Sequence, residues 1–210
     1  MENDNENLYH RQRDIFDPLS IRQMRVHVIG CGTIGSWTTL ALHKLGIEDV
    51  VLWDFDEVET VNVPSQNFDS DHVGHNKAIS LALRYGYVSH SIEFDYQLVQ
   101  DMEYKQSIFI LAVDSLEARR NILASLPPHA IVIDGRMSGE GYEVHVNSAD
   151  SIKVPAEASE DVCTAKGIIY VSMGIAAEIA YAVKQIMLDK PLDYKIIYRD
   201  YQGGNTLKIK

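Results

Sequence analysis

The stretch from Arg25 to Asp54 constrains this chain most. Val26-His27-Val28-Ile29 is a short apolar strand that runs into Gly30, Gly32 and Gly35, spaced Gly-x-Gly-x-x-Gly. A helical pattern covers residues 34–45, and a second apolar run, residues 50–53, ends on Asp54. Strand, glycine turn, helix and strand form the first βαβ unit of a nucleotide-binding sheet. Glycines let backbone approach a phosphate there, and the helix N-terminus supplies N–H donors and a positive dipole. Asp54 stands 19 residues past Gly35, where an acid can hydrogen-bond a ribose hydroxyl. His27, inside the first strand, reads as a core or interface residue.

The pattern continues as an α/β chain. After Asp54 comes an acidic and polar loop carrying Asp56, Asn62, Pro64, Ser65 and Gln66. A helix is expected to start near Gly74 and to carry Lys77, and residues 91–94 alternate as a strand. Residues 107–113 form a continuous apolar run, as a parallel strand covered on both faces requires, and end on Asp114. A helix over residues 116–126 stops at Pro127-Pro128, and a strand over 130–133 ends on Asp134-Gly135-Arg136. The pattern then changes. Residues 141–147 alternate as an antiparallel strand does, 148–162 read as a loop, and 164–188 as a long helix rich in small residues. A last strand over 193–199 turns back at Gly203-Gly204-Asn205. The expected fold is a Rossmann-like, doubly wound, mostly parallel sheet with antiparallel strands at the C-terminal end. It forms one domain over residues 1–210, with residues 1–24 as an N-terminal arm.

Charge narrows the partners. With 19 Lys and Arg against 30 Asp and Glu, the net charge is −11. Such a chain is a poor electrostatic match for nucleic acid or an anionic membrane, so neither is expected as a partner. Two cysteines, Cys31 and Cys163, cannot make a four-cysteine zinc site. Neither a signal peptide nor an 18-residue apolar run is present, and the expected compartment is a reducing cytoplasm.

A lone Gly-x-Gly-x-x-Gly says little, but three further features narrow it. Acids recur at strand ends, at Asp54 and Asp114, on the edge of a parallel sheet where ligands bind. Lys77 opens a helix just after a polar loop, within reach of an anion. Asp56, Asn62 and Gln66 crowd the loop after the second strand with groups that a dehydrogenase would not need. Together these residues resemble the ThiF/MoeB/HesA family, relatives of the ubiquitin-activating enzymes. The family pattern GxGxxGS, DxDxVxxxNxxRQ, GxxKA and D-x-x-x-x-R meets Gly30 to Ser36, then Asp54, Asp56, Val58, Asn62 and Gln66. It continues through Gly74, Lys77 and Ala78 to Asp114 and Arg119.

The resemblance implies ATP-dependent adenylation, with Mg2+, of the C-terminal carboxylate of a ubiquitin-like sulfur carrier or a peptide. It implies that Asp54 holds the ribose and Lys77 the phosphates, that Asp114 binds the metal, and that Asn62 and Gln66 line the phosphate region. It also implies a homodimer in which an N-terminal arginine, Arg11 or Arg13, reaches the partner's nucleotide. The absence of Cys-x-x-Cys pairs makes this a zinc-free member. One position departs from the pattern: Ser65 stands where the family has a phosphate-binding arginine. Arg136, just past a strand end, is the expected replacement. Cys163, at a loop–helix junction that lowers a thiol pKa, reads either as a nucleophile or as a small residue at a helix start. Cys31 reads as a filler of the glycine turn. Two other functions stay open: a degenerate family relative acting as a scaffold, and an NAD-dependent oxidoreductase.

Overall fold

A computed structural model describes residues 8–21, 24–100, 106–156 and 168–210. In chain order the elements are β1 (Arg25–Ile29), α1 (Thr33–Leu45), β2 (Val50–Trp53), α2 (Lys77–Tyr85), β3 (Val88–His90), α3 (Gln97–Gln100) and β4 (Ser107–Leu111). They continue with α4 (Leu116–Ser125), β5 (Ile131–Ser138), β6 (Gly141–Ser148), α5 (Ile169–Met187), β7 (Ile196–Asp200) and β8 (Asn205–Ile209). The described strands form one eight-stranded sheet in the order β3-β2-β1-β4-β5-β6-β7-β8. From β3 to β5 every pair is parallel, and from β5 to β8 every pair is antiparallel. The Rossmann-like sheet with an antiparallel C-terminal end is therefore present as expected.

Alternation of side chains along β1, β2 and β4 sends apolar groups to both faces. Val26, Val28, Leu52, Ile108 and Ile110 meet α1 and α5 on one face, with Ile175 and Ile179 of α5 in the same cluster. Ile29, Val51, Trp53, Phe109 and Leu111 meet Ile122 and Leu126 of the α4 segment on the other. Burial on both faces is why these strands read as apolar runs without a polar side. Among the described residues no helix is long and apolar enough to cross a membrane.

Several boundaries differ from the sequence reading, three of them near the site. The strand expected at residues 91–94 lies at Val88–His90, because its ladder ends where β2 ends, at Trp53↔His90. The alternation at 92–94 reflects packing instead: the Phe94 ring meets Trp53 edge-on at 5.1 Å. The helix expected from Gly74 starts at Lys77, where the Asn76 side chain accepts the Ile79 N–H at 3.0 Å. The strand expected to end at residue 133 runs on to Ser138, since β6 pairs with it past the end of β4, through Asp134↔His145 and Arg136↔Glu143.

Candidate active site

The glycine turn leaves β1 between β2 and β4. Gly30 takes φ +91°, and a Cβ there would meet the Ala112 carbonyl of the neighbouring strand end at 2.7 Å. A Cβ at Gly35 would overlap the Gly30 carbonyl itself. Close backbone packing thus requires both glycines. The first turn of α1 has no side-chain cap and no acidic residue, so its N–H groups remain available to an anion. Gln66 stands beside this turn. Its amide nitrogen lies 3.9 Å from where a Cβ of Gly32 would be, and its Oε1 is buried without a hydrogen-bond partner among the described residues.

Asp54 is a brace between the turn and the next loop. Its Oδ2 accepts the Cys31 N–H at 2.6 Å, and its Oδ1 accepts the Asp56 N–H at 2.8 Å. Burial raises its pKa, and the two N–H donors and Lys77 oppose that rise. Asn76 extends the brace, donating to the carbonyls of Asp54 at 2.9 Å and Asp56 at 3.1 Å. Lys77, nearly buried, reaches the half-exposed Asp56 carboxylate at 2.9 Å. The loop between Asp56 and Lys77 is fixed to α1 and α2. Trp37 donates its indole N–H to the Ser65 carbonyl at 2.9 Å, and the Asn67 amide donates to the Ser36 carbonyl and the Tyr85 hydroxyl. Asn62 turns its Oδ1 back to the Glu59 N–H at 2.9 Å. Sequence reasoning singles out neither Trp37 nor Asn76.

Asp114 lies just beyond β4, exposed, with no hydrogen bond or ion pair among the described residues. Behind it, Ser115 caps α4 by accepting the Ala118 N–H at 3.2 Å. Asp54, Asp56, Gln66, Lys77 and Asp114 all occur at or after the carboxyl ends of β2 and β4, on either side of the turn that follows β1.

Arg136 has a different environment. Gly135 faces Ile34, Ile175 and Ile179 of the α1–α5 layer, so Arg136 points to the opposite face of the sheet. There its Nε and Nη2 donate to the Asp134 carboxylate at 2.9 and 2.6 Å, and Nη2 also donates to the Lys153 carbonyl at 2.7 Å. A chain of charges continues to Glu143, 3.9 Å from Arg136, whose Oε2 lies 2.7 Å from His145 Nε2. The bond to His145 holds the Glu143 carboxyl below the usual range. The pairing of Asp134 with Arg119 and Arg136 is the part of the neighbourhood that the sequence reading missed. An acid directly before Gly-Arg at a strand end is the signal that could have marked it.

Arg11 is exposed and Arg13 half-buried. Both lie on the segment that docks at the far end of α1, where the Gln12 side chain donates to the Leu45 carbonyl at 3.0 Å. A helix of this length is about 20 Å long, so the arm stands well away from the glycine turn of its own chain. Cys31 is fully buried, and burial pushes its thiol pKa up, which suits a filler. Cys163 lies outside the described residues.

A profile of the ThiF family matches residues 15–190. The chain belongs to the ThiF family. Among individual proteins, this ThiF chain is 24% identical over 156 residues to ubiquitin-like modifier-activating enzyme 5 of Drosophila pseudoobscura pseudoobscura, covering 74% of the chain and 35% of that protein. With the Culex quinquefasciatus protein of the same name it shares 33% over 73 residues, 35% of the chain and 18% of the relative. The chain spans between about a fifth and a third of the length of these curated relatives. Among solved structures, E. coli MccB with ATP superposes with a TM-score of 0.73 at 18% identity, over 97% of this chain and 71% of that one. PaaA superposes with a TM-score of 0.65 at 17% identity, over 90% and 64%. At these identities the superpositions establish the shared fold.

Proposed function

We propose that this ThiF chain adenylates the C-terminal carboxylate of a ubiquitin-like carrier or a peptide, using ATP. The observation that carries this is the carboxyl end of the parallel strands. There a glycine turn, an uncapped helix N-terminus, Lys77 and the exposed Asp114 gather at the carboxyl ends of neighbouring parallel strands. The MccB neighbours support it, having been solved with ATP and with the peptide MccA, and so do the relatives named as activating enzymes of ubiquitin-like modifiers.

In this reading Gly30, Gly32 and Gly35 admit the phosphates to the N-terminus of α1, and Gln66 and Asn62 line their path. Asp54 keeps lone pairs for a ribose hydroxyl while bracing the turn, and Lys77 exchanges Asp56 for a phosphate oxygen. Asp114 fits a divalent metal: it is an exposed carboxylate with its oxygens uncommitted among the described residues. Mg2+ bound there supplies positive charge to the phosphate oxygens. The acceptor's carboxylate oxygen attacks the α-phosphorus, the bond to the bridging oxygen breaks, and pyrophosphate leaves with that electron pair. The acyl-adenylate remains. The chain's part is orientation and charge. Arg136 is assigned to the wall behind this site through Asp134, rather than to the phosphates. We assign the nucleotide of a partner subunit to Arg11 or Arg13, since their segment docks far from its own glycine turn. Cys163 remains the candidate nucleophile for a later step.

One observation favours a second reading, a nucleotide-binding scaffold without adenylation. Position 65 offers only a serine, whose carbonyl is taken by Trp37. Calorimetric titration with Mg·ATP and with NAD tests the site. The expected result is ATP binding without NAD binding, and a loss of about 2 kcal/mol in Lys77→Ala, roughly thirty-fold in Kd. NAD binding alone refutes the reading. ATP binding without ATP–pyrophosphate exchange in the presence of the acceptor selects the scaffold.

A further inference from the structure

Asp134 is fully buried and lies between two guanidinium groups. Arg119, itself buried on α4, ion-pairs with one side of the carboxylate, and Arg136 holds the other through two hydrogen bonds. An acid placed so carries no solvent-facing role, and a buried charge is retained only where it is well paired. Its partners lead outward in two directions. Arg119 donates Nη2 to the Val113 carbonyl at 2.5 Å and Nη1 to the Gly135 carbonyl at 3.4 Å. Arg136 donates to the Lys153 carbonyl at 2.7 Å. Val113 is the residue directly before Asp114. The segment that carries Asp114 is thus tied through Arg119 to a carboxylate anchored in the sheet, while Asp114 stays exposed.

We propose that Arg119, paired with Asp134, is a positioning residue for Asp114. The second arm of its guanidinium fixes the Val113 carbonyl, and that bond sets where the Asp114 carboxylate stands. The proposal rests on the reading that Asp114 holds the divalent metal. Its consequence is selective: loosening the Val113 anchor weakens the use of metal more than the binding of nucleotide, because the glycine turn, Gln66 and Lys77 belong to other elements. Partners behind a metal ligand commonly change metal affinity about ten- to a hundred-fold when lost.

The test titrates ATP into wild type, Asp114→Asn, Arg119→Gln and Asp134→Asn across a range of Mg2+ concentrations and in EDTA. Thermal midpoints are recorded alongside. Asp134→Asn leaves two buried cations side by side, so it can fail to fold. Arg119→Gln keeps Arg136 as counter-charge and carries the test by itself. The expected result is that Arg119→Gln raises the Mg2+ concentration for half-maximal tightening of ATP about ten-fold, with ATP affinity in EDTA within about two-fold of wild type. Adding Arg119→Gln to Asp114→Asn changes the Mg2+ response no further. An unchanged Mg2+ requirement in Arg119→Gln, with Asp114→Asn still abolishing the Mg2+ effect, overturns the proposal and leaves the site reading intact. Equal loss of ATP affinity with and without metal also overturns it, as a structural defect alone would give that. If Asp114→Asn responds to Mg2+ like wild type, the site reading itself fails.

Discussion

Acidification from pH 7.5 to 5.0 should cost this fold about 2 kcal/mol through one side chain, His27. The imidazole is fully buried in β1, stacked on Phe109 with ring centroids 5.0 Å apart, and its Nδ1 accepts the Trp53 indole N–H at 3.1 Å. An imidazolium there would lose its hydration and could no longer accept from Trp53. Burial, with help from Arg25 and His90, lowers its pKa to about 3. The unfolded chain titrates near 6.5, so between pH 6.5 and 3 it binds a proton that the folded chain does not. Stability therefore falls as pH drops through that window and is whole above it. At pH 5.0 the unfolded state gains about 1.5 pH units of protonation free energy, roughly 2 kcal/mol. The assay is urea unfolding at both pH values for wild type and His27→Phe. The variant leaves the Trp53 N–H without its acceptor and is less stable than wild type at pH 7.5 by about 1–3 kcal/mol. Its loss between the two pH values should nevertheless be about 2 kcal/mol smaller than that of wild type. His43 and His90, whose pKa values burial also lowers, are common to both proteins and cancel in the comparison. Equal losses in the two proteins would refute the reasoning.

Two further substitutions probe the scaffold of the site. Asn76→Ala removes the cap of α2 and the bonds to the Asp54 and Asp56 carbonyls; it should lower stability by about 1–2 kcal/mol, measured by urea unfolding, and weaken ATP binding in the calorimeter. Gly135→Val drives methyl groups into Ile34, Ile175 and Ile179 and should cost about 1–3 kcal/mol through overpacking, read as a lower thermal midpoint with Mg·ATP affinity changed less than in Asn76→Ala.

The sequence makes the parallel half of the sheet legible because local pattern dictates it. Apolar runs, a glycine turn and a helix between residues 25 and 54 need no distant partner to be read, and the polar loop before Lys77 has few reasons to exist without a ligand. The antiparallel half is harder. Where β5 ends depends on β6, and Gly135 inside the strand reads as a turn ahead of the real turn at Gly139. From local pattern alone, Arg136 therefore reads as a group past a strand, able to enter the crevice. In the fold it is a mid-strand residue whose direction is set by the alternation about Gly135. Likewise Asp134 pairs with an arginine from a separate helix, a contact that no local pattern announces. Gly30 and Gly35 are legible as a motif, yet their specific necessity, one against Ala112 and one against Gly30 itself, emerges only in the packing.

Asp54 joins the glycine turn to the loop leading to Lys77 through the amides of Cys31 and Asp56. The two walls of the crevice are consequently joined before any nucleotide arrives. Ordering entropy is then spent during folding, and association loses less freedom than it would with a mobile loop. Slow hydrogen exchange at the Cys31 and Asp56 amides in the free protein would be the direct sign of this preorganisation.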